Sequence, residues 1–136
     1  MTIATLQITA NLDELTKVRQ FVEATAVTCI TDQQPISDIV LAVDEAITNI
    51  IRHGYHEQPG TIEIKIHCLP NQIEVKLCDW SPNFDPTQVT PPDPDAPLSQ
   101  RKPGGLGVHM MRHLTDVLQY RELPDGRNEL TLIKQI

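Results

Sequence analysis

Asp44-Glu45-Ala46-Ile47-Thr48-Asn49-Ile50-Ile51-Arg52-His53-Gly54-Tyr55 is the stretch on which the fold turns. Wound at about 100° per residue, it has two unlike faces. Ile36, Ile39, Val40, Val43, Ile47, Ile50 and Ile51 fall on one stripe, the spacing of a core-facing helix. Glu45, Asn49 and Arg52 gather on the opposite side, within roughly 60° of one another, with His53 at the edge. An acid and an amide at i, i+4 form an ordinary solvated pair on many helices. They are also a carboxylate for proton transfer beside an amide oxygen suited to a hard cation. The rest of the chain decides between these readings.

Upstream, residues 1–10 alternate with Ala4, Leu6, Ile8 and Ala10 on one face, which predicts a strand. Asn11 is placed to cap a first helix with Asp13 and Glu14 in its first turn. Leu12, Leu15, Val18, Val22, Ala26 and Cys29 supply its apolar side, and it is expected to end near Thr31-Asp32. Pro35 suits the first turn of the second helix and Gly54 its C-terminal cap.

Downstream, Ile62, Ile64, Ile66 and Cys68 alternate with Glu63, Lys65 and His67. After Pro70-Asn71, Ile73, Val75 and Leu77 alternate with Glu74, Lys76 and Cys78, so the two runs read as an antiparallel hairpin with one buried face. The same parity points Asp79 at the core side, where a carboxylate costs several kcal/mol unless donors meet it. The alternative is that the strand has ended and Asp79 caps a turn.

Seven of the eleven prolines fall within residues 81–103, which excludes a helix or a central strand there. So long a loop in a compact domain reads as disorder or as a lid, here about residues 84–107. It ends in Arg101-Lys102-Pro103-Gly104-Gly105-Leu106-Gly107 and enters a helix at Val108-His109-Met110-Met111-Arg112-His113-Leu114. Glycines at a helix start let backbone N–H groups approach an anion, although glycines also turn chains everywhere. Two strands close the sequence, residues 117–122 and 128–136, around the turn Pro124-Asp125-Gly126. The order predicts an α+β domain spanning residues 1–136, with helices covering one face of a mixed, largely antiparallel sheet.

With 136 residues, 40% apolar and only 4% aromatic, the chain has an aliphatic core, and its net charge of −7 argues against nucleic acid or anionic membrane as direct partners. The apolar runs fall short of a membrane span, and Met1-Thr2-Ile3-Ala4-Thr5 lacks a signal-peptide layout. Cys29, Cys68 and Cys78 are odd in number and form no CxxC, so free thiols in a reducing cytoplasm are expected.

In this order the segments resemble the GHKL ATPase/kinase superfamily, and within it the bacterial anti-sigma-factor serine kinases and related switch kinases. Glu45 to Tyr55 is similar to the group's N-box. Asp79 with Asn83-Phe84-Asp85-Pro86 resembles the first glycine box, and Gly104-Gly105-Leu106-Gly107-Val108 through Met111-Arg112, then Leu114-Thr115-Asp116, the second. The resemblance covers essentially the whole chain and implies a Bergerat-type two-layer sandwich. It implies ATP and Mg²⁺ as cofactors, Glu45 as general base toward a substrate serine, and Asn49 as the Mg²⁺ ligand. Asp79 would accept the adenine amino group. Gly104, Gly105 and Gly107 would offer backbone N–H groups to the phosphates, with Leu106 and His53 beside the nucleotide and Arg101 or Lys102 adding charge. Thr131, in Leu130-Thr131-Leu132, resembles a family threonine near the adenine. The implied partners are a small anti-sigma-factor antagonist carrying the serine and a sigma factor, with room for a homodimer. One position departs: the family's Asp-x-Gly reads Asp79-Trp80-Ser81 here, and glycine there lets backbone pass close to a nucleotide.

Other chemistries are weaker. His109 and His113 have the i, i+4 spacing of paired zinc ligands but lack the glutamate of HExxH and a nearby third ligand, which disfavours a zinc site of that kind. Cys68 and Cys78 follow strand periodicity and read as structural. Two function classes stay open: a serine kinase, favoured by Glu45 with Asn49, and a nucleotide-responsive protein-binding switch, favoured by Ser81.

Overall fold

The computed structural model describes residues 2–82, 85–88 and 105–136. Its elements run β1 (Thr2–Thr9), a 3-10 turn (Leu12–Glu14), α1 (Leu15–Ala26), α2 (Gln33–Asn49), a π-helical turn (Ile50–Gly54), β2 (Thr61–Leu69) and β3 (Gln72–Asp79). A 3-10 turn (Pro86–Gln88), α3 (Gly105–Leu114), β4 (Val117–Glu122) and β5 (Asn128–Gln135) follow. The strands form a five-stranded sheet in the order β1-β2-β3-β5-β4. Every pairing is antiparallel, so no parallel pair is present among the described strands. Most of the proposed lid lies outside the described residues.

Register makes the two layers. Ile64 pairs with Leu77 and Ile66 with Val75, while Val75 and Leu77 pair with Leu132 and Leu130. With a side-chain period of two, these residues share one face and meet α1 and α2. Ile39, Ile47, Ile51, Ile62, Ile64, Ile66 and Ile73 are essentially inaccessible to solvent, each worth about 1.5–3 kcal/mol of apolar burial. Branched aliphatics at both periods build most of this core, with Tyr55 the one aromatic among its buried described residues. Glu63, Lys65, Glu74, Lys76, Glu129 and Thr131 fall on the opposite face. Lys134, on the helix side of β5, reaches Asp38 of α2 at 3.1 Å, and Arg19 of α1 reaches Asp44 at 2.8 Å.

The local signals act largely as read. Asn11 Oδ1 accepts the Asp13 N–H at 2.9 Å, and Pro35 sits in the first turn of α2, where a missing N–H costs nothing. Gly126 takes φ +95° in the final hairpin turn. No helix among the described residues is long and apolar enough to cross a membrane.

Three expectations change. First, α1 ends at Ala26, short of Thr31-Asp32, and residues 27–30 leave it through turn bonds such as Ile30 N–H to the Ala26 carbonyl at 2.8 Å. Second, α2 does not run to Gly54 as an α-helix. After Asn49 the ladder widens to i→i+5, as in the Tyr55 N–H to Ile50 carbonyl bond at 2.8 Å. The reversal that follows uses left-handed His56 (φ 52°) and Glu57 (φ 61°), not Gly54. Third, Cys29 and Cys68 are joined in a disulfide, with Cα atoms 6.1 Å apart. Cys29 leaves the end of α1 directly over the core side of β2, where Cys68 points, so two residues each read as core-facing meet. Cys78 is the free thiol, and burial followed by the nearby Glu129 pushes it up to about 11, which makes it inert as a nucleophile.

Candidate functional site

The site grows from the end of α2. Glu45 is half-buried and Asn49 buried, one α-helical turn apart. Asn49 Nδ2 donates to the Glu45 carbonyl at 2.8 Å. This commits the amide nitrogen to the helix and leaves Oδ1 as the acceptor, the atom a hard cation takes from an amide. The π turn begins immediately after. Such turns widen helices at functional sites, and the 100° spacing that grouped Arg52 and His53 with Glu45 and Asn49 stops at residue 49. His53 sits half-buried in the π turn and Arg52 is exposed.

Asp79 closes β3 on the core side, 4% exposed, as its parity predicts. Its Oδ1 accepts from Ser81 N at 2.9 Å, Ser81 Oγ at 2.5 Å and Asn128 Nδ2 at 3.0 Å. Asn128 Nδ2 also reaches the Ser81 carbonyl at 2.7 Å, and Tyr120 Oη donates to Asn128 Oδ1 at 2.6 Å. A buried carboxyl thus finds the donors it requires, and none of these three goes to Oδ2.

Ser81 stands where the resemblance has glycine, and its neighbour shows why it fits. A Cβ on Gly54 would lie 2.6 Å from Ser81 Oγ. The space a side chain at 54 would need is filled by the Ser81 hydroxyl, itself held by Asp79. We expect Gly54→Ala to destabilise the fold by about 1–3 kcal/mol through overpacking, and Ser81→Gly in the same chain to recover most of that loss. Urea denaturation of the two single variants and the double variant checks the coupling; strictly additive losses would rule this contact out as the cause.

Tyr55 locks the end of the N-box onto the sheet. Its hydroxyl donates to the Thr61 carbonyl at 2.7 Å and accepts the Trp80 N–H at 2.8 Å. The Trp80 ring is 56% exposed, with the Arg127 guanidinium carbon 6.0 Å from its centroid.

The described part of the second glycine box, Gly105 to Gly107, sits inside a helix rather than before one. Gly105, Leu106 and Gly107 form the first turn of α3, whose leading N–H groups have no intrahelical partner. α3 packs on α2, which carries Glu45 and Asn49. Arg101, Lys102 and Gly104 lie outside the described residues. Ahead of them, Asp85 Oδ1 caps the 3-10 turn through Thr87 N at 2.8 Å, and Arg112 of α3 donates to the Thr87 carbonyl.

Thr131 does not join this site. It pairs with Lys76, whereas Asp79 pairs with Asn128. An odd offset from Asn128 turns Thr131 to the opposite face, into a groove of about 580 Å³ shared with Glu74, Lys76 and Gln119. The residue facing Asp79 is Asn128. Counting strand parity back from core-facing Leu132 and Leu130 points to it.

A family model described as the histidine kinase-like ATPase domain matches residues 8–134. The chain is 33% identical over 95 residues to the serine/threonine-protein kinase BtrW of Bordetella bronchiseptica, a match covering 69% of this chain and 66% of that protein. It is 33% identical over 88 residues to the serine-protein kinase RsbW of Bacillus cereus, covering 62% and 55%. The chain therefore spans less than two thirds of the length of these curated relatives. A crystal structure of the RsbU and RsbW domains of a Mycobacterium tuberculosis protein superposes with a TM-score of 0.67 at 16% identity, over 98% of this chain and 32% of that one. Identity that low carries the fold alone. With the helix-borne Glu45 and Asn49, the buried Asp79 and the glycine-led α3 all in the matched region, the chain belongs to the histidine kinase-like ATPase domain family.

Proposed function

We propose that this chain, as one domain over residues 1–136, is an ATP-dependent protein serine kinase that works by partner switching, phosphorylating a small antagonist protein and binding a sigma factor. The observation that carries the reading is the Asn49 side chain. Its Nδ2 is fixed on the Glu45 carbonyl at 2.8 Å, which keeps Oδ1 as the acceptor one turn from the Glu45 carboxylate. That donor set fits magnesium, an oxygen-seeking ion that accompanies nucleotide phosphates. The names of BtrW, a serine/threonine-protein kinase, and RsbW, a serine-protein kinase, support the same reaction class.

Bound Mg-ATP supplies the phosphoryl group and neutralises its charge. The chain's own residues then divide the work. Asp79 would take the adenine amino group on Oδ2, since Ser81 and Asn128 hold Oδ1. The first-turn N–H groups at Gly105, Leu106 and Gly107 would hold the phosphates, with Arg101, Lys102, Gly104 and His53 as further nucleotide-binding residues. Glu45 accepts the proton of the incoming serine hydroxyl. Ser81, bonded to Asp79 where the family glycine would leave open backbone, favours the second reading, a nucleotide-dependent binding module without transfer.

Transfer of γ-labelled phosphate to a serine-bearing antagonist tests the proposal, with that serine changed to alanine as control. Label on the antagonist is the expected result; nucleotide-dependent association with no label would select the binding module. Asn49→Ala should weaken Mg-ATP binding far more than metal-free ADP binding in calorimetry. Equal losses would make Asn49 a structural residue.

A further inference from the structure

We propose that His109 and His113 of α3 form a two-imidazole chelate for a transition-metal dication such as Zn²⁺ or Ni²⁺, chemically distinct from the magnesium of the nucleotide. The two side chains lie at i, i+4 on one helix face, and their Nε2 atoms converge to 3.1 Å. The ring planes stand at 87° with centroids 4.4 Å apart. Two metal–imidazole bonds of about 2.0–2.1 Å that span 3.1 Å between nitrogens enclose about 95–102° at the metal. That angle falls between the octahedral and tetrahedral values, so the spacing of the two nitrogens suits adjacent positions on one ion.

A hydrogen bond between the rings uses the same approach less fully. It requires one Nε2 to carry a proton and the other to lack it, whereas a metal takes a lone pair from both. His113 is exposed and His109 half-buried, so an ion arrives from solvent. No third His, Cys, Asp or Glu completes a cluster among the described residues, and water fills the remaining positions. Arg112, the other cation of that turn, is tied to the Thr87 carbonyl, and the C-terminal turn of a helix favours positive charge. Imidazole selects borderline ions over Mg²⁺ and Ca²⁺, which prefer oxygen. An ion bridging i and i+4 clips the last turns of α3, the helix that packs on α2. This site would therefore bind metal whether or not the kinase reading holds.

The test uses the untagged chain with Zn²⁺ or Ni²⁺ alone, read by calorimetry and by the thermal midpoint. We expect one ion per chain, saturation well below millimolar metal, a raised midpoint, and neither effect with Mg²⁺. His113→Ala and His109→Asn, each folded by circular dichroism, should lower affinity by at least about tenfold, the scale on which losing even a supporting partner weakens a metal site. They should also abolish the midpoint shift. Binding confined to millimolar metal, or undiminished in both variants, would overturn the site.

Discussion

Asp79→Asn should leave the chain folded and weaken ATP binding by about 5- to 150-fold, the equivalent of about 1–3 kcal/mol for a mismatched buried polar contact. The asymmetry of the carboxyl group sets this expectation. Oδ1 accepts the Ser81 N–H, the Ser81 hydroxyl and the Asn128 amide. An asparagine must keep its oxygen there to satisfy those donors, which forces its NH₂ into the place of Oδ2. The fold keeps its bonds, and the adenine amino group meets a donor where it had an acceptor. A 6-oxo purine nucleotide presents an acceptor at that edge, so its affinity should fall less, or rise. Calorimetry with ATP and ITP on both proteins separates the cases. Unchanged ATP affinity in a folded variant would remove Asp79 from the nucleotide site.

The legible part of this molecule is the part governed by short periods. Parity with Ile73, Val75 and Leu77 puts Asp79 on the core side provided the strand runs that far, and β3 does run to Asp79. The same rule, applied from Leu132 and Leu130, reaches Asn128 and excludes Thr131, which resemblance had placed near the adenine. What periodicity could not carry is geometry that changes within an element or joins distant ones. The step from α to π geometry after Asn49 leaves no mark in the apolar spacing of Ile47, Ile50 and Ile51. Nothing in sequence brings Cys29 to Cys68 across 39 residues, since each reads separately as core-facing. Ser81 is the intermediate case. Its departure from glycine is visible at once, but the reason it fits lies in Gly54, which the chain brings beside it only by folding.

Glu45→Gln should cut phosphorylation of the antagonist serine by about 10²–10⁴-fold, the usual worth of a positioned general base, while nucleotide and partner affinities stay close to wild type. A serine hydroxyl is a weak nucleophile at neutral pH, so transfer gains from an acceptor for its proton within hydrogen-bond reach. The helix supplies the position. Glu45 and Asn49 both lie in the α-helical part of the N-box, and the widened turn begins only at Ile50. The Asn49 Nδ2 bond to the Glu45 carbonyl ties the two residues at 2.8 Å through backbone, not through the Glu45 carboxylate. Changing the carboxylate to an amide of nearly the same shape therefore leaves the proposed metal ligand in place and removes only the proton acceptor. Single-turnover transfer, measured with saturating nucleotide and partner, isolates that step from binding. A variant that retains transfer within a few-fold would assign the base elsewhere; a parallel loss of nucleotide affinity would mean Glu45 holds the site together instead of acting in the chemistry.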